Sequence, residues 1–322
     1  MKMKLLGTTG VQISSLCFGT MTFGAQADRL ESAKLFKKAI DAGINFFDCA
    51  NVYSRGTAEN ILGELVSGMR DDLVITSKVY NRMSDKPNDC GSSRRHITRA
   101  VEESLHRLKT DRIDIYFLHG WDCNVSLEET VSVMDSLVHA GKIIYWGISN
   151  FSAWQIQKAL RAAEQNGLEP PRVIQPMYNL LKRQAEVEIL PMAQAEKLGV
   201  ITYSPLGGGY LTGKYLDSSN TKGRLFENEK YTQRYENPRY RREAKAFCMF
   251  AQKNKLNPAS LAVAWVMNHP AVTCPIIGAR SVEQLIPSLA AGDLVLNEKL
   301  YSRISSLSET PPPATDRSEL GG

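Results

Sequence analysis

Residues 113–119 read I-D-I-Y-F-L-H, a strand-length apolar run that ends on an imidazole. The same construction occurs twice upstream. The run Ile44–Phe47 gives way to Asp48, with Tyr53 shortly after, and Leu73–Ile75 leads to Lys78. An acid, a phenol, an amine and an imidazole delivered at successive strand ends make a proton-transfer site rather than a core. A phenol, with a reference pKa of about 10, becomes a usable acid near neutrality where a cation and a hydrogen bond favour its anion. Lys78 is the candidate cation and Asp48 the group that holds it, so this reading expects the Tyr53 phenol to be drawn down.

Working outward, strand-like and helix-like patterns alternate over most of the chain. Asp28 with Glu31, Ser126 with Glu129 and Ser152 with Gln155 have capping-box spacing, and the helices they open close at Gly43, Gly141 and Gly167. Leu30, Ala33, Phe36, Ala39 and Ile40 line one face of the first. A further helix is expected from about Gln184 to Gly199. Strand ends are expected at Gly19, Asp48, Lys78, His119, Ser149, Gln175, Ser204 and Ile277, mostly about 30 residues apart, the length of a βα unit. Eight such units predict a closed (β/α)8 barrel, the TIM-barrel architecture, whose working residues sit at the carboxyl ends of the strands. A doubly wound open sheet is the alternative, but no G-x-G-x-x-G follows the first strand. Met1–Leu16 reads as a β-hairpin around Gly7–Gly10 that plugs the barrel's bottom. A long loop, Gly207 to about Pro238, follows the seventh strand. The reading is one domain over 1–310, with a disordered tail over 311–322 that begins P-P-P-A.

Composition narrows the function. With 322 residues and 43% hydrophobic content, the chain has enough apolar material for one large core. A net charge of +5 is mild, and the densest basic stretch, Arg234 to Lys245, also carries Glu236 and Glu243. It reads as a solvated helix face, so no nucleic-acid partner is expected. The six cysteines form no CxxC pair and have no partnered His, against both zinc and a disulfide framework. Cys17, Cys49 and Cys274 read as core fillers. No run is long enough for a signal peptide or membrane span, so the expected setting is the cytoplasm, without a membrane partner. Gly208 to Lys214 imitates a phosphate-binding NTPase loop, but Tyr215 stands where that motif needs a magnesium-binding hydroxyl.

Several stretches carry a family resemblance: L-C-F-G-T-M-T-F-G from Leu16, G-I-N-F-F-D-C-A-N-V-Y from Gly43, V-I-T-S-K from Val74 and D-I-Y-F-L-H from Asp114. G-I-S-N-F, V-I-Q-P-M-Y-N, Y-S-P-L-G-G-G-Y-L-T-G-K and I-I-G-A-R follow in order. Over about residues 3–291 the chain resembles the aldo-keto reductase family, in particular its bacterial aryl-alcohol-dehydrogenase-like and potassium-channel β-subunit-like members. That resemblance implies an NADP-dependent oxidoreductase that reversibly reduces aldehydes and ketones. Tyr53 would be the acid, Lys78 and Asp48 would tune it, and His119 would orient the carbonyl. It implies that Thr20, Met21, Gln26, Asp48, Ser149, Asn150, Gln175, Tyr203, Ser204, Leu206, Lys214, Arg224, Gly278, Arg280 and Gln284 bind NADP. Phe23, Tyr53, His119 and Trp121 would frame the pocket of a small-molecule substrate. Pro287 and Ser288 replace an acidic residue and an asparagine that the family uses at adenine. The competing function is a cofactor-carrying regulatory subunit with little turnover; in the channel β proteins an asparagine stands at the position of His119.

Overall fold

The computed structural model describes residues 1–216 and 223–315. Two short strands, β1 (Met3–Leu5) and β2 (Gln12–Ser14), pair antiparallel as the hairpin. Eight parallel strands follow: β3 (Cys17–Gly19), β4 (Phe46–Asp48), β5 (Val74–Val79), β6 (Ile113–Leu118), β7 (Ile143–Ser149), β8 (Val173–Gln175), β9 (Gly199–Thr202) and β10 (Cys274–Ile277). Each pairs with the next, and β10 closes on β3 through Ile276 opposite Cys17, so the barrel has no free edge.

Helices α1 (Arg29–Asp41), α2 (Thr57–Leu65), α3 (Arg94–Leu108), α4 (Leu127–His139), α5 (Ala153–Asn166) and α6 (Ile189–Ala195) connect the first seven barrel strands. The caps read from sequence are present in part. Gln155 Oε1 accepts from the Ser152 N–H at 2.9 Å, while the Ser152 hydroxyl has no partner among the described residues, so half of that box forms. Asp28 accepts from the Glu31 N–H at 2.8 Å, but the Glu31 carboxylate takes the Val282 N–H instead. The helix expected from Gln184 begins at Ile189, after a 3-10 turn over Gln184–Glu186. Between β9 and β10 the chain makes a 3-10 turn (Gly207–Thr212) and helices α7 (Arg224–Glu227), α8 (Glu229–Arg234), α9 (Pro238–Lys253) and α10 (Pro258–Met267). The described part of the long loop is therefore largely helical. Helices α11 (Val282–Leu289) and α12 (Glu298–Ser305) follow the last strand. Of the expected tail, residues 316–322 lie outside the described residues.

The period-two rule of a strand divides the core. Cys17, Phe46, Val74, Ile115, Phe117, Val173, Ile201, Cys274 and Ile276 point inward and form one apolar cluster, capped from below by Leu6 and Ile13 of the hairpin. Phe18, Phe47, Ile75, Tyr116, Trp146 and Ile148 point outward, into the larger cluster beneath the helices. Each fully buried aliphatic or aromatic side chain contributes about 1.5–3 kcal/mol, so both layers matter to stability. Gly147 and Gly7 are among the glycines that sterics require. A Cβ on Gly147 would lie 2.5 Å from the Phe117 ring, and one on Gly7 would lie 2.6 Å from the Gly199 nitrogen, where the hairpin meets the barrel floor. Cys17, Cys49 and Cys274 are fully buried, as expected of filler residues.

Candidate active site

Continuing the inward-facing rows by two residues at each strand's carboxyl end produces the site. Phe46 is followed inward by Asp48, Val74 by Thr76 and Lys78, Phe117 by His119, Gly147 by Ser149, Val173 by Gln175 and Ile201 by Tyr203. The apolar plug thus changes into a polar ring at one level of the barrel. Lys78 is completely buried and donates to both Asp48 oxygens at 2.7 Å and to the Cys49 carbonyl at 2.6 Å. Asp48 also accepts from Thr76 Oγ1 and Gln175 Nε2, each at 2.8 Å. A charge pair this deep persists because nearly every donor and acceptor around it is satisfied.

Tyr53 enters from the turn beyond β4, its hydroxyl 3.4 Å from Lys78 Nζ. Its ring stands 6.2 Å from that of His119, nearly edge-on at 78°. Burial first, and then the Asp48 carboxylate, push the Tyr53 phenol well above its ordinary value. Against the expectation that Lys78 draws it down, burial and the Asp48 charge prevail, and the phenol keeps its proton. His119 is displaced the other way. Burial, and then the positive Lys78, lower it to about 3, so the imidazole is neutral at physiological pH. Its backbone N–H donates to Val79, its carbonyl accepts from Asn150 Nδ2 at 2.8 Å, and its Nδ1 is 3.0 Å from Asn81 Nδ2.

Asp48, Tyr53 and His119 open onto a cavity of about 980 Å³ that extends to Arg280, Gln284 and Pro287. Along it lie Met21, Gln26, Ser149, Asn150, Gln175, Tyr203, Ser204, Leu206, Lys214 and Gly278. Tyr203 donates to Asn150 Oδ1 at 2.7 Å. Asn150 and Ser204 have left-handed backbones, φ 61° and 60°, of the sort that cluster where a site dictates geometry.

Three expected residues sit elsewhere. Thr20 directly follows the inward-facing Gly19, so it faces away; it is fully buried and donates to the Asp48 carbonyl. Phe23 lies in a turn whose N–H returns to Thr20, and its buried ring packs 5.8 Å from Phe18, in the core rather than along the cavity. Trp121 packs edge-on against Phe151 and Trp154, two residues past His119, and does not wall the cavity. Arg224 opens α7. Asn81, Lys230 and Arg234, in the 80–92 and 207–237 loops that the sequence reading sets around the pocket without singling out residues, line the cavity, and so does Asn257, which it did not name. Lys230 and Arg234 share one face of α8 at i,i+4 spacing, a signal that was present in the sequence. Arg234 itself was assigned to a solvated face, which the cavity corrects.

At the far end Arg280 donates to Glu227 of α7 at 2.9 Å. Gln284 accepts from the Arg280 N–H at 3.2 Å, while the Ser281 side chain caps no backbone N–H. The Val282 N–H already carries Glu31, which occupies part of the positive end of α11. That helix runs through Pro287 to Leu289.

Comparison with known proteins agrees with this architecture. Residues 15–309 match the Aldo/keto reductase family. An uncharacterised oxidoreductase of Bacillus subtilis, YrpG, is 35% identical over 97% of this chain and 97% of its own length. A probable voltage-gated potassium channel subunit beta of rice is also 35% identical, over 98% of this chain and 99% of its own. Norsolorinic acid reductase of Aspergillus flavus is 31% identical over 92% of this chain and 78% of its own. With that family matched across nearly the whole length, and with a barrel of the expected topology, the chain belongs to the aldo/keto reductase family.

Proposed function

We propose that this oxidoreductase reduces aldehydes and ketones to alcohols, reversibly, with NADPH as hydride donor. The observation that carries the reading is the buried Lys78–Asp48 pair under a protonated Tyr53, with a neutral His119 across the same cavity. The walls fit a nicotinamide dinucleotide. Amide side chains at Asn150 and Gln175, an aromatic face at Tyr203, and cations at Lys214, Lys230, Arg234 and Arg280 all line it. Those chemistries suit in turn a carboxamide, a flat ring and phosphates.

When bound, the reduced nicotinamide supplies a hydride to the carbonyl carbon. The protein handles the oxygen. His119 donates a hydrogen bond that holds the carbonyl and stabilises charge as it develops. Tyr53 then gives its proton to that oxygen. A phenol with a raised pKa remains competent, because a developing alkoxide is a stronger base than a phenolate. The phenolate left behind lies beside Lys78, and in alcohol oxidation the same atoms run in reverse. Arg280 would hold the 2′-phosphate that distinguishes NADPH from NADH.

The test is a panel of simple aldehydes and ketones with NADPH consumption followed by absorbance. Turnover of several aldehydes supports the reading. Tight NADPH binding with no turnover would favour a cofactor-carrying subunit, the reading to which the likeness to channel subunits points.

A further inference from the structure

Neutral imidazole has one N–H, and a hydrogen bond made by one ring nitrogen decides which nitrogen carries it. His119 can donate toward a carbonyl in the cavity only if the proton is on Nε2. Its Nδ1 faces the side-chain amide of Asn81, 3.0 Å from Nδ2. With that amide N–H donating, Nδ1 must present its lone pair and the proton must reside on Nε2. The backbone that leads into Asn81 is closely fitted. Tyr80 has φ 152°, an uncommon backbone for a non-glycine residue, and its carbonyl accepts from the Gly91 N–H at 2.7 Å. The Tyr80 ring sits 3.0 Å from where a Cβ on Gly120 would be, so the segments after β5 and β6 are closely fitted. The His119 backbone is fixed at both its N–H and its carbonyl, which leaves the ring's state as the remaining freedom.

We infer that Asn81 is a positioning residue that sets the tautomer of His119, making Nε2 the hydrogen-bond donor for the reacting carbonyl. The inference rests on the reductase reading for its purpose, but its physical content can be measured without turnover.

Long-range proton–nitrogen NMR of labelled protein, with the His119 signals identified by their loss in His119→Asn, reads the tautomer directly. The expected result at neutral pH is an unprotonated Nδ1 and a protonated Nε2. Asn81→Asp replaces the donor by an acceptor, so the proton should move to Nδ1. The turnover number should then fall about 10²-fold, the usual consequence of losing one oxyanion donor, while NADPH affinity stays within about threefold. Asn81→Leu only removes the bond and should cost less than Asn81→Asp. A purely structural role predicts the opposite order, because aspartate is the closer match in size and polarity. A protonated Nδ1 in the wild type overturns the inference, even if the variants fail to fold. So does Asn81→Asp with unchanged tautomer and turnover. If the tautomer behaves as expected but no carbonyl is reduced, the proposed function fails and this inference stands.

Discussion

At one end of the cavity Lys78 is fully buried and grips Asp48 at 2.7 Å. At the other, Arg280 holds Glu227 at 2.9 Å with the two side chains 28% and 50% exposed. Both are ion pairs between a cation and a carboxylate, yet they differ in what removing a partner does. The buried pair is surrounded by Thr76, Gln175 and the Cys49 carbonyl, so its charges have nowhere else to go. The exposed pair is in water's reach, screened by salt, and can exchange one anion for another. One pair is fixed by its burial; the other can open, and under the proposed function it would re-form on the cofactor's phosphate.

The largest expected effect lies in the buried pair. Lys78→Met leaves the Asp48 carboxylate buried without its ammonium, which costs about 3–5 kcal/mol of stability. It should also lower turnover by about 10²–10⁴-fold, as loss of the acid step does. Urea unfolding and steady-state rates check the two parts, and a stability unchanged within error would break the contrast. Next is His119. Its folded pKa, lowered to about 3 by burial and Lys78, lies below the usual 6.5. The unfolded chain therefore binds the extra proton, and this contribution is fully present above about pH 6.5 and erodes as pH falls toward 3. At pH 5 the loss is about 2 kcal/mol. Depressed His96 and His269 share the slope, so His119→Asn should flatten it in part, read as the change in unfolding free energy between pH 7 and 5.

The smallest effect belongs to the exposed end. A charge-assisted contact to a 2′-phosphate is worth roughly 1.5–3 kcal/mol, or about 10–150-fold. Because the phosphate must displace Glu227, the preference for NADPH over NADH should lie near the lower limit, about tenfold. Arg280→Ala should largely erase it, and raised salt should weaken it without touching the Lys78 pair. Fluorescence titration of both cofactors decides this. Equal wild-type affinities would show that Arg280 does not read the 2′-phosphate.

The same contrast governs what could be read from the amino-acid sequence. Asp48, Lys78, His119, Ser149 and Gln175 were legible because a strand's two-residue period carries an inward apolar row straight into the site. Thr20 came from the family resemblance alone, and that same rule turns it away, one residue out of phase with Gly19. Tyr53 lies in a turn, where periodicity is silent, and was read instead from its place just beyond the Ile44–Phe47 run. The contacts of Asn81, Lys230, Arg234 and Glu227 depend on how loops fold across the barrel mouth. No local period encodes that path, and the Glu31 cap on α11 joins residues 251 apart in sequence.

The most direct test of the central claim is Tyr53→Phe, assayed for both aldehyde reduction and NADPH binding. Only a hydroxyl is lost, and the acid step is worth roughly 10²–10⁴-fold. The account predicts that turnover falls by at least about 10²-fold while NADPH affinity stays within a few fold. A variant that keeps more than about half the wild-type turnover number would contradict it, since another group would then be delivering the proton.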